Sequence, residues 1–333
     1  MGRGLGTGHR SCVAGCECAA LDDSDHQPSL VRRAAVRFLD ADAVAALGPA
    51  AAVKAITDAL RGGLDPAVDQ ARIPVEVTNG QFLLMPSESM DAAGVKVVTV
   101  APDNPAHGLP RVQAVYLLFD QATLALRAVL DGTALTTLRT PAVSVAAVLE
   151  RLPDRALRVV AIGAGPQATG HVATLAAVRP LEHVTYLVRE PSRTPLDALA
   201  LGSSQAEEAL RSADVVVCAT SARSPVFDSA LLSNDVVVVA VGSHEPEARE
   251  LDATLLGRAC VVVEDVATAL REAGDVVLAI AEGALSPADL LPMRDVMTGA
   301  VEVPTDRPLV FKSVGMSWQD LVVAAAFLRH NEG

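Results

Sequence analysis

Aromatic side chains are scarce in this sequence: they make up 3% of its 333 residues, with a single Trp. A core cannot then rest on packed rings. Alanine and valine dominate instead, which points to small side chains and β-branched strands. An excess of positive charge is also missing, since the formal net charge is −13. Such a surface repels nucleic-acid phosphates and anionic lipid headgroups, so neither is an expected partner. No apolar run has the length of a bilayer-spanning helix. The longest, such as DVVVVAVG from Asp235 to Gly242, are strand-sized. The N-terminal stretch lacks the apolar segment of a secretory signal, so a reducing cytoplasm is the expected location.

Half of the residues are apolar and a fifth are charged, as in a globular protein with room for two domains. Of five cysteines, Cys218 and Cys260 lie in apolar runs and read as buried thiols. Cys12, Cys16 and Cys18 cluster near His9 and His26, but their spacing fits no common zinc module, and no metal site is expected. Residues 1–30 are polar and Gly-rich and read as a disordered tail or an overlong start.

From Val36 the pattern becomes helical, with Asp40 or Asp42 as a cap, a break near Gly48-Pro49 and an end at Gly62-Gly63. RIPVEVT, QFLLMPS and GVKVVTVAP follow as strands, with a turn at Asn79-Gly80. VQAVYLLFDQATLALRAVLDG reads as strand, turn, strand, and Ala134 to Leu152 as a helix. Beyond Leu157 valine-rich strands alternate with helices, which predicts an α/β, Rossmann-type doubly wound parallel sheet beside a smaller α+β domain.

The stretch VVAIGAGPQATGHVATL (159–175) ends the first of these strands. Gly163 permits the tight turn, Gly165 lets backbone approach a pyrophosphate, and the helix N-terminus beyond offers N–H donors. Ala168 takes the third fingerprint position. The second strand ends YLVRE. Arg189 suits a 2′-phosphate, with Arg193 in support, and favours NADP(H); Glu190 on the ribose hydroxyls would instead favour NAD(H). His171, inside the first helix, reads as structural.

Several motifs in order, GAGPQATGH, LDGTALTTLRTPAVS, AVGSHEPEARELD, FKSVGMSWQDL and GVKVVTVAPDNPAHGLP, resemble the ornithine cyclodeaminase/mu-crystallin family from about Val36 to Arg329. The resemblance implies a homodimer that uses NAD(H) or NADP(H) on the carbon–nitrogen bond next to a carboxylate. It implies a dinucleotide-binding domain over 140–305, inserted in a substrate-binding and dimerisation domain of 31–139 with 306–333. It matches Arg72 and Arg139 to two carboxylate-binding arginines, the second near the cofactor, and Lys96 to the active-site lysine. Gln167 and Ala168 would line the pyrophosphate loop; Thr220, Val241, Gly242 and Ser243 would serve the cofactor from strand ends. Residue chemistry agrees at Lys96, a lone charge in a valine-rich strand that costs free energy without a partner or a task.

Two positions depart from the cyclodeaminase pattern. His244 stands where an acidic residue handles the amine, and Leu83-Leu84 stand where another acidic residue precedes the Met-Pro pair. His244 can replace one as acid/base. The two leucines suit a ring methylene better than a free amine. Arg111 either receives a second acidic group, of substrate or cofactor, or faces solvent. The expected activity is NAD(P)H-dependent reduction of a cyclic ketimine acid of the Δ1-pyrroline-2-carboxylate or Δ1-piperideine-2-carboxylate type. The alternatives are ornithine cyclodeamination, an amino-acid dehydrogenase or opine-like synthase, and a non-catalytic NADP-dependent binding protein.

Overall fold

A computed structural model describes residues 36–332. The cysteine cluster and the expected tail at 1–30 lie outside the described residues. The chain opens with β1 (Arg37–Leu39), α1 (Ala41–Ala45) and α2 (Pro49–Arg61). Asp40 caps α1 by accepting from the Ala43 N–H, and Gly48, at φ +78, makes the expected break before α2. Ala52, Val53, Ile56 and Leu60 recur at helical spacing and form the buried stripe of α2.

The next strands are β2 (Ile73–Val77), β3 (Gly80–Glu88), β4 (Ala92–Val100), β5 (Val112–Asp120) and β6 (Leu126–Asp131). They pair antiparallel in succession, and β1 adds parallel to β6, giving the order β1-β6-β5-β4-β3-β2. Residues alternate along β4, with Ala92, Gly94, Lys96 and Val98 on the buried face. Helix α3 (Gly132–Val148) leaves this sheet, capped by Asp131. Its residues Arg139–Val148 are all buried, because neighbouring layers cover it on every side.

The remaining elements are β7 (Leu157–Ile162), α4 (Pro166–Val178), β8 (Leu181–Val188), β9 (Ala198–Ala200), α5 (Ser204–Ser212), β10 (Val215–Cys218), β11 (Val237–Ala240), α6 (Ala253–Arg258) and β12 (Cys260–Val263). They continue through α7 (Val266–Glu272), α8 (Gly274–Ala281), β13 (Leu290–Pro292), α9 (Met293–Met297), β14 (Leu309–Lys312) and α10 (Ser317–Glu332). The second sheet runs β13-β12-β14-β11-β10-β7-β8-β9, with every pair parallel. The strand order reverses between β7 and β10, and that switch point leaves a crevice at the strand ends.

The segment 306–333 divides differently from the expectation. Strand β14 enters the parallel sheet between β11 and β12, and only α10 returns to pack on the antiparallel sheet. The run Leu309-Val310-Phe311-Lys312 is buried throughout, which suits an interior parallel strand covered on both faces. Among the described residues no helix is long and apolar enough to cross a membrane.

Candidate active site at the strand ends

Strand β7 ends at Ile162, and Gly163 turns the chain at φ +115. A Cβ there would meet the Ala219 carbonyl oxygen at 2.6 Å, so both the conformation and the space require glycine. Gly165 caps α4 with no side chain, and a Cβ on it would meet nothing within 4 Å. Ala168 is fully buried, and the Gln167 Oε1 atom is buried with no hydrogen-bond partner among the described residues. A cleft of about 910 Å³ starts here, bordered by Gly163, Arg189, Glu190, Arg193, Thr220 and Arg223. Its size and its glycine turn fit a dinucleotide. Arg189 and Glu190 are exposed, and Arg193 lies 3.8 Å from Glu190. His171 is buried away from the cleft, between the Gln167 carbonyl and the Ser144 hydroxyl.

The strand ends on the other side of the crevice are tied by a buried Glu–Asp–Lys chain. Glu250 accepts from the Thr220 N–H and hydroxyl and from the Gly242 N–H, each at 2.7 Å. Burial raises its carboxyl pKa above the ordinary value. Asp275 accepts from the backbone N–H groups of Glu250 and Leu251. Lys312, at the end of β14, reaches Asp275 and donates to the Ser243 carbonyl at 2.7 Å. A Cβ on Gly242 would fall 2.0 Å from the Thr220 oxygen, so glycine there lets the ends of β10 and β11 close up. Val241 is part-buried between these anchored residues.

A second cluster forms where α3 and α10 cover the antiparallel sheet. Register places Lys96 opposite Met85 on β3 and Tyr116 on β5. The same pairing sets Leu83 on the Lys96 face and Leu84 on the opposite face, so only Leu83 of the two can border this site. Lys96 is 2% exposed; its Nζ lies 2.8 Å from Asp320 Oδ2 and 3.4 Å from the Thr136 hydroxyl. Arg139 is also buried, with its Nε 3.3 Å from Asp320 Oδ1 and its Nη1 donating to the Gln319 amide oxygen. The Gln319 Nε2 in turn donates to Glu264, which also accepts from the Ser313 hydroxyl and from the N–H groups of Val314 and Gly315. Glu264 thus fixes which way the Gln319 amide points, since a carboxylate takes its N–H side and a guanidinium its oxygen.

Burial pushes the Lys96 ammonium down to about 8, and repulsion from Arg139 adds to this while Asp320 opposes it. Burial raises the Tyr116 phenol, with the charges of Asp320 and Asp69 contributing. Arg72 bridges the two layers: its Nη2 donates to the carbonyls of Val314 and Gly315 and lies 2.8 Å from Glu272. His244 follows the anchored Ser243 on an exposed loop, where crowding by protein atoms and then the Arg72 charge lower its pKa. Arg111 is exposed, and its charge acts on Glu245 rather than on the Lys96 cluster.

The structure thus brings Lys96, Arg139 and Arg72 towards one another around residues the sequence reading passed over: Asp320, Gln319, Glu264 and Glu272. Lys312 had an available signal. The chain has three lysines, Lys54, Lys96 and Lys312, against 24 arginines, and Lys312 stands alone in an apolar run just as Lys96 does. The acidic partners sit in ordinary-looking loops and helix ends and carried no such mark.

Known proteins share this fold. A Δ1-pyrroline-2-carboxylate reductase of Bacillus cereus is 34% identical over 267 residues, covering 76% of this chain and 82% of that protein. The Thermococcus litoralis enzyme of the same name, in a structure with NADH and L-proline, superposes with a TM-score of 0.78 at 27% identity, over 89% of this chain and 98% of its own. An archaeal alanine dehydrogenase dimer with bound NAD gives 0.76 at 27% identity, over 89% and 97%. The family model of the ornithine cyclodeaminase/mu-crystallin family matches residues 43–331, and so spans the glycine turn, both buried charge clusters and the returning helix. This chain belongs to that family.

Proposed function

We propose that this chain is an NAD(P)H-dependent oxidoreductase that reduces a cyclic ketimine carboxylate of the Δ1-pyrroline-2-carboxylate or Δ1-piperideine-2-carboxylate type. One observation carries the reading: Lys96, a buried ammonium with its pKa lowered to about 8, sits beside two arginines, and one of them, Arg139, stands on α3, the helix that packs against α4 behind the glycine turn. Two guanidinium groups suit the substrate carboxylate. Arg139 is aimed by Asp320 and Gln319, and Arg72 by Glu272 and two carbonyls, so both are oriented before substrate arrives. Gly163, Arg189 and Thr220 would hold a reduced nicotinamide dinucleotide, which would supply hydride for an imine carbon. The ring nitrogen then takes a proton from Lys96, which remains mostly protonated at neutral pH yet gives up its proton more readily than an exposed lysine. Leu83, on the Lys96 face, borders the ring methylenes. His244 is the second acid/base candidate, at the mouth of the site.

Arg189 and Arg193 border the cleft where a 2′-phosphate would lie, which favours NADP(H) over NAD(H). The working unit is a homodimer. Edge strand β2 exposes Ile73, Val75 and Val77 side by side, a surface suited to a second copy of the chain. Free buried Cys218 and Cys260 accord with a cytoplasmic location.

The test is loss of reduced-nicotinamide absorbance when the purified protein meets NADPH or NADH with each cyclic imine acid. Oxidation with either imine supports the reading; ammonia from ornithine with NAD, and no imine reduction, replaces it with cyclodeamination. Arg189→Ala should raise KM for NADPH about tenfold and leave NADH unchanged, as loss of one charge-assisted contact implies. Equal effects on both cofactors would overturn the NADP(H) preference.

A further inference from the structure

Asp320 has no exposed surface, and its two oxygens face different cations. Oδ2 lies 2.8 Å from Lys96 Nζ and Oδ1 lies 3.3 Å from Arg139 Nε. The carboxylate stands in the first turn of α10, where the helix dipole favours negative charge. The groups around Lys96 come from four directions. Asp320 faces it from α10, Thr136 and Arg139 from α3, Tyr116 from β5, and the charge of Arg72 acts from the segment before β2. Among these, Asp320 is the one whose charge favours the ammonium form. Without it, two buried cations would repel each other with no anion between them.

We propose that Asp320 is a positioning residue that holds the Lys96 ammonium protonated and in place between the two sheets, and through Lys96 sets the alkaline limit of turnover. The inference rests on the reading of Lys96 as the proton donor. In each turnover the nitrogen of the C=N bond gains one proton from Lys96 Nζ, and Lys96 takes one back from solvent. Asp320 donates nothing; its contact with Nζ stabilises the form of Lys96 that can donate. Asp320→Asn keeps the shape and removes the charge. An opposite charge this near shifts a pKa by about one to three units, so its loss should lower the lysine by at least about one unit.

The experiment uses the scarcity of lysine. Protein labelled with ¹³C at lysine Cε has three signals, from Lys54, Lys96 and Lys312, and each is titrated in wild type and in Asp320→Asn. The expected result is a Lys96 midpoint near 8 in wild type that falls by at least about one unit in the variant, while Lys54 does not move. The alkaline limb of kcat/KM for the imine should fall with it. A Lys96 midpoint unchanged in Asp320→Asn overturns the proposal, and so does a limb that stays put while the lysine shifts. If the variant does not fold, the wild-type titration still decides: a Lys96 midpoint below pH 7 would mean that Asp320 fails to hold the proton. The titration needs no substrate. Absence of imine reduction by wild type would therefore count against the proposed reaction, whereas a wrong midpoint would count against Asp320.

Discussion

The ammonium of Lys312 lies 2.8 Å from Oδ2 of Asp275, and neither side chain has any exposed surface. Asp275 also accepts two backbone N–H groups, and Lys312 donates to the Ser243 carbonyl, so each charge has further partners. Through Glu250 the pair ties together the ends of β10, β11 and β14, where ligands of parallel sheets bind.

Lys312→Met would leave the Asp275 carboxylate buried beside no cation. Breaking one side of a buried pair costs about 3–5 kcal/mol, and urea unfolding should show a loss of that size. Adding Asp275→Asn to Lys312→Met should recover part of it, because the stranded charge is removed. A single-variant loss under about 1 kcal/mol would mean that the pair adds little beyond its packing.

The cofactor loop makes a sharper separation between folding and binding. At Gly165 the backbone is at φ −84 and ψ 178, and an added Cβ finds open space. Gly165→Ala should therefore change stability by less than about 1 kcal/mol, yet weaken dinucleotide binding about tenfold or more by crowding the pyrophosphate path. Gly163→Ala should do the opposite in stability, costing about 1–3 kcal/mol through its positive φ and the 2.6 Å approach to the Ala219 oxygen. Thermal unfolding and cofactor titration on both variants check this. Equal binding by Gly165→Ala and wild type would remove the pyrophosphate from that loop.

These sites differ in how far the sequence alone revealed them. The glycine turn was legible because its chemistry is local: strand, two glycines, small residue and helix follow one another. Lys96 was legible as a lone charge in an apolar strand, and the sheet did bury it. Its partner was not, because Asp320 lies 224 residues away and meets Lys96 only when α10 folds back over the antiparallel sheet. The family resemblance assigns β14 to that return together with α10. A four-residue strand buried on both faces belongs with its parallel neighbours, and the chain crosses between layers only after Lys312. Pairing across layers follows from packing of whole elements, which no short window of residues encodes.

His171 links helix α4 to α3 and makes the fold sensitive to acid. Its Nδ1 donates to the Gln167 carbonyl at 2.7 Å, and its Nε2 lies 3.0 Å from the Ser144 hydroxyl. Burial lowers its pKa from 6.5 to about 4, so the folded state holds the ring neutral. In the unfolded chain the same ring takes a proton at about pH 6.5. Between those values the unfolded state binds more protons, so stability falls as the pH drops from 6.5 to 4, by about 3 kcal/mol in total. Above pH 6.5 and below pH 4 the contribution is flat. His171→Asn should be less stable at pH 7 through lost packing, but its unfolding free energy should fall less steeply over that window. Urea unfolding of both proteins at several pH values measures the difference. Parallel curves would mean that the folded state takes up the His171 proton at the same pH as the unfolded chain, so that burial does not hold the ring neutral.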